Sequence, residues 1–180
     1  MPRGWERPAF SAQRGVFVEI RAICPEDDRL AVSRVYEESW RYAYRGIVPQ
    51  EYLDGIPRGR WAGQPDEPGL RALVLTEGEE IAGVSSFGPS RFPDLAGWGE
   101  VVSLYLLPEY MGKGYGARLL SAALEELKGM GFREAFLWTL RENRRARRFY
   151  ERQGFRLRDE TVIEIGGAAL KEVRYCRGMV

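Results

Sequence analysis

The sequence contains no histidine and only two cysteines. Without histidine the chain cannot carry Ser-His-Asp or Cys-His catalysis, or a histidine-ligated zinc ion. Cys24 and Cys176 lie near opposite ends of the chain and match no metal-ligand spacing or disulfide framework, so we expect no metal and a reducing, cytoplasmic location. Proton transfer is left to carboxylates, tyrosines, thiols or water.

Long hydrophobic runs and an excess of one charge are also missing. No stretch approaches 18 consecutive apolar residues, and the start MPRGWERPAF lacks the apolar run of a signal peptide, so we expect neither a membrane segment nor export. The formal net charge of +1 gives no overall attraction to nucleic acid or to an anionic membrane. We therefore expect neither as a partner.

Apolar periodicity divides the chain into alternating elements. Residues 1–14 are rich in Arg, Pro and Gly without periodicity, so we expect a flexible leader, followed by one domain over residues 15–180. Strands are predicted at 16–23, 70–78, 80–88, 98–107, 134–140, 155–165 and 169–180. Helices are predicted at about 25–44, 49–55, 114–130 and 143–153, with an irregular aromatic arm at about 56–69.

The connections between these elements predict how the strands pair. The turns at Glu77-Gly78-Glu79 and Gly166-Gly167 are typical of antiparallel hairpins. The strand–helix–strand step over residues 100–140 instead requires two parallel strands. The order therefore indicates a mixed α/β domain whose sheet is mostly antiparallel.

The stretch MGKGYGARLL, residues 111–120, places three alternating glycines directly before a predicted helix. Without Cβ atoms, backbone N–H groups can converge on a bulky anion, and the helix dipole adds positive charge there. This favours a phosphate or pyrophosphate ligand. The same glycines also suit a tight strand-to-helix turn with close helix packing.

Two common nucleotide motifs do not fit this stretch. A Walker loop requires G-x-x-x-x-G-K-[ST], but Lys113 is followed by Gly114. A dinucleotide fingerprint requires G-x-G-x-x-G, but these glycines are evenly spaced, and Glu134 opens its strand instead of ending it. Neither class of site is predicted.

The surrounding pattern, EVVSLYLLPEYMGKGYGARLLSAALEEL followed by NRRARRFYERQGF, closely resembles the GCN5-related N-acetyltransferases (GNAT). The second segment fits the family pattern N-x-x-A-x-x-[F/L]-Y-x-x-x-G-F at every position. The first fits [Q/R]-x-x-G-x-[G/A] less completely, because Met111 replaces the usual Gln or Arg. The resemblance implies the GNAT fold: a central, mostly antiparallel sheet of about seven strands, one parallel and splayed pair, and four flanking helices.

The resemblance also implies acetyl-coenzyme A as the cosubstrate. Its pyrophosphate is expected on the backbone of Gly112, Lys113, Gly114, Tyr115, Gly116 and Ala117. Its pantetheine arm is expected to lie beside Leu104, Tyr105 and Leu106 like an added strand, bonded to the backbone of Leu104 and Leu106. A backbone N–H near Leu106 would polarise the thioester carbonyl. Asn143 is expected to cap its helix, to bond the cofactor, or to do both.

Two catalytic residues follow from the same resemblance. Tyr150 matches the tyrosine that protonates the departing thiolate in many members, and packing on the sheet is its alternative role. Glu100 is expected to accept the proton of the amine, directly or through water. Glu37, Glu38 and Asp54 are the alternatives, and an ordinary solvated carboxylate is the other interpretation of each.

The acceptor side is defined least by the sequence. Aromatic residues at Trp40, Tyr42, Tyr44, Tyr52 and Trp61 wall the acceptor pocket or fill the core, and Glu38, Trp40 and Tyr44 are the predicted acceptor-binding residues. The arginines of residues 144–148 reach the cofactor's 3′-phosphate or face solvent.

The predicted function is N-acetyl transfer from acetyl-coenzyme A to a primary amine, on a small molecule or a peptide, by direct attack in a ternary complex. The alternative is a non-catalytic module that binds or senses acyl-coenzyme A. The family often forms dimers, and the C-terminal hairpin is the candidate interface for a homodimer.

Overall fold

The computed structural model describes residues 17–179, so the predicted leader at 1–14 lies outside the described residues. The described chain runs β1 (Val18–Ala22), α1 (Arg29–Ala43), α2 (Gln50–Asp54), β2 (Arg71–Glu77), β3 (Glu80–Pro89), β4 (Gly99–Leu106), α3 (Tyr115–Gly129), β5 (Glu134–Leu140), α4 (Arg144–Arg152), β6 (Arg156–Ile165) and β7 (Ala168–Gly178). The predicted order of strands and helices is confirmed. None of these helices is long and apolar enough to cross a membrane.

The largest difference in element bounds is at the start of α1. The helix begins at Arg29 and not near Pro25, because the side chain of Asp28 accepts a hydrogen bond from the Leu30 N–H at 2.8 Å. This N-cap satisfies one of the backbone donors that a helix leaves open at its first turn.

The described strands form one seven-stranded sheet in the order β1-β2-β3-β4-β5-β7-β6. Every neighbouring pair is antiparallel except β4 and β5. That parallel pair is joined only at Gly99 with Ala135 and at Glu100 with Phe136. Beyond these residues the two strands part, which confirms the predicted splayed pair and leaves a gap beside residues 101–106.

The helices cover both faces of the sheet. Tyr105 faces α1, where its ring lies 5.1 Å from that of Tyr36, whereas Leu106 faces α3 beside Gly116. Because consecutive strand residues point to opposite faces, α1 and α3 lie on opposite sides. Phe149 of α4 also contacts the Gly116 region, so α4 shares the α3 face.

A buried hydroxyl cluster holds β4 at the start of the gap. The pairing of β3 with β4 shifts register between Ser86 and Phe87, which is a bulge. There the Ser103 hydroxyl lies 2.6 Å from the Ser86 hydroxyl and 2.9 Å from that of Tyr36. Burial raises the pKa of Tyr36 to about 12. The cluster therefore ties α1 to the bulge with neutral groups.

The segment between β4 and α3 is tied to the β2–β3 hairpin. It makes a short 3₁₀ turn at Pro108–Tyr110, and the Tyr110 hydroxyl lies 2.9 Å from a carboxylate oxygen of Glu77 and 2.8 Å from one of Glu80. Burial and these two carboxylates raise the pKa of Tyr110. The phenol therefore stays protonated, and its hydrogen bonds hold the segment that leads into α3.

Candidate active site

The gap between β4 and β5 opens into a cleft of about 390 Å³. The cleft begins at the segment before α3, passes between the splayed strands and ends beside the C-terminal turn of α1. Residues from α1, β4, α3, β5 and α4 line it, so one concave site joins the two faces of the sheet.

The glycine loop, residues 111–116, forms one end of the cleft. Gly112 and Gly114 adopt positive φ angles of 81° and 83°, and no heavy atom lies within 4 Å of the position of a Cβ on either. The first turn of α3 has no side-chain cap, so its backbone N–H groups are open. Open donors, a bare backbone and the positive end of a helix dipole fit a diphosphate.

Gly116 differs from the other two glycines. A Cβ there would lie 3.6 Å from Leu106 and 3.7 Å from Phe149, which is ordinary contact distance. The residue therefore lets the start of α3 pack close to β4 and α4, and it also lines the cleft with Ala117.

The charged side chain of the glycine loop points away from the cleft. The Lys113 ammonium lies 5.2 Å from the centre of the Tyr110 ring, and Tyr115 packs against that ring at 6.2 Å. Neither side chain lines the cleft, whereas that of Met111 does. The loop therefore offers backbone N–H groups to an anion, and the predicted contacts of Lys113 and Tyr115 stay predictions about their backbone.

The edge of β4 presents free backbone groups to the gap. The Leu107 N–H donates to the Ala82 carbonyl of β3 at 2.8 Å. Since alternate residues of an antiparallel strand direct their backbone groups to alternate sides, Leu104 and Leu106 direct theirs into the gap. The hydroxyl of Ser39 donates to the Leu106 carbonyl at 2.6 Å, so the carbonyl already has a partner. The Leu106 N–H points into the gap, where a ligand could accept from it.

Asn143, the N-cap residue of α4, and Tyr150 within α4 both line the cleft. The Asn143 side-chain oxygen accepts from the Ala146 N–H at 3.1 Å, so this residue caps α4 and keeps its amide NH₂ for another partner. Tyr150 is 9% exposed, and its hydroxyl bonds to no described residue. Burial raises the pKa of Tyr150 well above its ordinary value of 10. The phenol is a protonated, unpaired donor inside the cleft.

Of the arginines at 144–148, Arg145 is the one that lines the cleft. Its guanidinium donates to the Tyr42 hydroxyl at 3.2 Å and lies 5.6 Å from the centre of that ring. This contact joins α4 to α1. Arg147 instead donates to the Tyr175 hydroxyl and to the Arg141 carbonyl, away from the cleft.

An aromatic cluster closes the end of the cleft beside α1. The ring of Trp40 lies 4.8 Å from Tyr44 and 5.3 Å from Trp61, and its indole N–H donates to the Tyr105 hydroxyl at 3.1 Å. Tyr52 packs on Trp40 at 6.3 Å. Tyr44 lines the cleft and Trp40 stands behind it. These aromatic residues therefore both line the end of the cleft and pack in the hydrophobic core.

The predicted base Glu100 is held by an arginine. Its side chain is 2% exposed, and it accepts hydrogen bonds from Arg91: from the backbone N–H at 3.2 Å and from the guanidinium at 2.8 and 3.0 Å. Glu100 does not line the cleft. Its oxygens are committed to Arg91, which weighs against a role in accepting the proton of the amine, and that role stays a prediction.

The other predicted carboxylates also lie outside the cleft. Glu37 is buried and accepts from the Ser33 hydroxyl and the Gly59 N–H, both at 2.7 Å, so it ties the 56–69 arm to α1. Glu38 forms an exposed ion pair with Arg34 at 2.6 Å, and Asp54 accepts from Gln50 at 2.8 Å. The acceptor role predicted for Glu38 gains no support from this placement.

Replacing Arg91 with alanine tests the structural role of its pair with Glu100. The buried carboxylate would lose its cation, so we expect the free energy of unfolding to fall by about 3 kcal/mol, the lower end for a broken buried pair, because the Arg91 side chain is 46% exposed. Urea unfolding followed by circular dichroism measures this. As a control, Arg71→Ala breaks an exposed pair with Glu126 and should cost less than about 1 kcal/mol. Equal losses would show that the Glu100 pair is not structural.

The cleft residues that were not predicted from the sequence include two on β5. Trp138 and Thr139 line the cleft just beyond the point where the parallel strands part. The indole N–H of Trp138 is buried and bonds to no described residue. Both lie near the end of β5, the strand that follows α3. This position along the chain is the sequence signal that could have identified them.

Comparison with known proteins identifies the architecture around this cleft. A family model described as "Acetyltransferase (GNAT) family" matches residues 32–155. An uncharacterized N-acetyltransferase of Bacillus subtilis, YuaI, is 30% identical over 149 residues, which cover 82% of this chain and 86% of that protein. The spermidine N(1)-acetyltransferase of Thermoplasma acidophilum is also 30% identical over 149 residues, covering 79% and 90%.

A solved structure matches the whole fold. It is the PaiA N-acetyltransferase from Thermoplasma acidophilum in complex with coenzyme A, with a TM-score of 0.66 and 25% sequence identity. The match covers 87% of this chain and 98% of that one. No group of three or more cysteines, aspartates or glutamates that could hold a metal ion occurs within residues 17–179.

Proposed function

The chain belongs to the acetyltransferase (GNAT) family of acetyl-coenzyme A-dependent acyltransferases, and from this premise we propose that it acetylates a primary amine by direct attack in a ternary complex. The observation that carries the proposal is the cleft between the splayed strands. It has open N–H groups at one end, and it is lined by the phenol of Tyr150, which bonds to no described residue.

The residues that would hold acetyl-coenzyme A follow from this geometry. The open N–H groups at the start of α3 bind the pyrophosphate, and the backbone of Leu104 and Leu106 bonds the pantetheine arm as a neighbouring strand would. Bound acetyl-coenzyme A supplies an activated acetyl group with a thiol leaving group. The Leu106 N–H then faces the acetyl carbonyl and stabilises the negative charge that develops on its oxygen.

Tyr150 acts as the general acid. Burial keeps its hydroxyl protonated at neutral pH, and the same apolar surroundings disfavour a bare thiolate. Transfer of the hydroxyl proton to the departing sulfur therefore removes an unfavourable buried anion. No covalent intermediate on the protein is needed, because the amine attacks the acetyl group directly.

The acceptor is an amine on a small molecule or a peptide. The relative that acetylates spermidine makes polyamines the first class to try. The test is a release assay for the free coenzyme A thiol with a polyamine, an amino acid, a peptide N-terminus, a peptide lysine and an aminoglycoside. We expect release with at least one class. Tight binding of acetyl-coenzyme A without release above background hydrolysis would instead indicate a sensing role.

The proposal extends to the location and assembly of the protein. Both cysteines are free thiols, which suits a reducing cytoplasm. The edge strand β6 exposes Leu157 and Val162, which suits a homodimer through the C-terminal hairpin. Light scattering coupled to size exclusion measures the mass, and a monomer at micromolar concentration would contradict the dimer.

A further inference from the structure

Glu172 of β7 is not one of the residues that line the cleft, but strand pairing places it near the acceptor end. It is paired in register with Leu140, the last residue of β5. Leu140 and Leu170, its neighbour two residues along β7, both belong to the apolar cluster that contains Tyr44. Since paired residues and residues two apart share one face of a sheet, Glu172 lies on the α1 face, next to the aromatic wall.

The carboxylate of Glu172 has no protein partner. Within residues 17–179 it makes no hydrogen bond and no ion pair, although the side chain is partly buried. The other acids on this face are committed: Glu100 to Arg91, and both Asp94 and Asp159 to Arg174. A partly buried carboxylate without a cation is costly unless a ligand supplies one.

A second unpaired group lies next to it. Trp138 pairs with Arg174, which puts Trp138 diagonally across the ladder from Glu172, within reach for long side chains. Its buried indole N–H lacks a partner among the described residues, and Trp138 lines the cleft. One unpaired acceptor and one unpaired donor therefore flank the place where the cleft meets the aromatic wall.

We propose that Glu172 binds the ammonium group of the acceptor and accepts its proton before attack, in place of Glu100. This inference rests on the proposed function and makes the acceptor a cationic amine. Trp138 is the companion donor for an oxygen or nitrogen lone pair of the acceptor.

The proton balance gives each residue one task. The acceptor enters as R–NH₃⁺, and its first proton moves to a carboxylate oxygen of Glu172, which leaves a nitrogen with a free electron pair. That pair forms the N–C bond to the acetyl carbon while the C–S bond breaks and its electrons stay on sulfur. Tyr150 gives its hydroxyl proton to the sulfur and regains one from solvent. The second nitrogen proton and the Glu172 proton leave to solvent, so one proton is released overall.

The electrostatic surroundings suit a base. Burial, followed by the negative charge of Glu100, raises the pKa of Glu172 above its ordinary value of 4.5. The phenols of Tyr44 and Tyr105 are near enough for the Glu172 charge to raise their pKa in turn, although burial is the main cause there. The cations of this face, Arg91 and Arg174, are both paired. A raised pKa moves a carboxylate toward the operating pH, where general bases work best.

Replacing Glu172 with glutamine tests the proposal. With the best amine from the panel, we expect kcat/KM to fall by about 100-fold or more, because a general base typically contributes at least that factor. In the wild type, kcat/KM falls as the pH drops through the pKa of Glu172. This acidic limb of the pH profile should vanish in Glu172→Gln, and Glu172→Asp should recover part of the rate. The affinity for acetyl-coenzyme A and the melting temperature should stay close to wild type.

Two controls separate the outcomes. Glu164→Gln removes an exposed carboxylate of the same hairpin and should change nothing. Glu100→Gln should keep the acidic limb of the pH profile but move it to lower pH, because the Glu100 charge raises the pKa of Glu172. If the wild type acetylates an amine but Glu172→Gln stays within threefold of it with the same pH profile, Glu172 is not the base and the proposed function stands. If the wild type acetylates no amine, the proposed function fails and this inference fails with it.

Discussion

Replacement of Gly114 by aspartate is expected to abolish the binding of acetyl-coenzyme A, with a loss of affinity of at least 100-fold. The new carboxylate would stand where the open N–H groups of α3 meet the pyrophosphate, and a like-charge contact there costs several kcal/mol. The left-handed backbone at φ 83° adds strain, since residues with a Cβ rarely adopt it. Isothermal titration calorimetry measures the change.

A matched variant at the other end of α3 separates charge from strain. Gly131 has a φ of 96° and no heavy atom within 4 Å of its Cβ position, so Gly131→Asp imposes the same strain far from the glycine loop. It should lose some thermal stability and keep its affinity. An affinity of Gly114→Asp within threefold of wild type would show that the anion binds elsewhere.

Replacement of Tyr150 by phenylalanine is expected to lower kcat by about 100- to 10,000-fold while the affinity for acetyl-coenzyme A stays unchanged. The ring packing on Phe149, Phe155 and Tyr175 is kept, and only the hydroxyl proton is lost. Steady-state kinetics with the best amine, together with calorimetry, give both quantities. An unchanged kcat would remove Tyr150 from the chemistry.

Tyr175→Phe is the matched control for this change. The Tyr175 hydroxyl donates to Glu151 at 2.6 Å and accepts from Arg147 at 3.1 Å, outside the cleft. Its removal should lower stability and leave kcat near wild type. Because burial raises the pKa of Tyr150, the protonated acid form is lost only as the pH rises above the ordinary tyrosine value. We therefore expect no alkaline loss of kcat below about pH 10 that depends on Tyr150.

The order of elements could be predicted from the sequence because its signals are local. Hairpin turns, helix caps and apolar periods each lie within a few residues, and Asn143 caps α4 as expected. The end of the cleft at Gly112 and Gly114 could be predicted equally well, since glycine is the residue type that adopts the positive φ found there.

The acceptor side could not be predicted in the same way, because distant segments build it. The indole of Trp40 donates to the Tyr105 hydroxyl 65 residues away, and Glu172 comes close to the aromatic wall only through the pairing of β5 with β7. Glu100 is close to Arg91 in the chain, yet only the path of the β3–β4 connection brings the guanidinium onto the carboxylate. Composition and periodicity carry no information about such pairings.

Because two residue pairs join β4 to β5, the sheet consists of two parts that are connected weakly at this point. β1 to β4 lie on one side of it, and β5 to β7 lie on the other. The amide hydrogens of Leu104 and Leu106 lie in the interior of the sheet, yet we expect them to exchange with water, in the absence of a ligand, as fast as those of an edge strand. We expect a ligand in the gap to complete the hydrogen-bond ladder like an eighth strand, and its binding free energy would then stabilise the two parts of the sheet together.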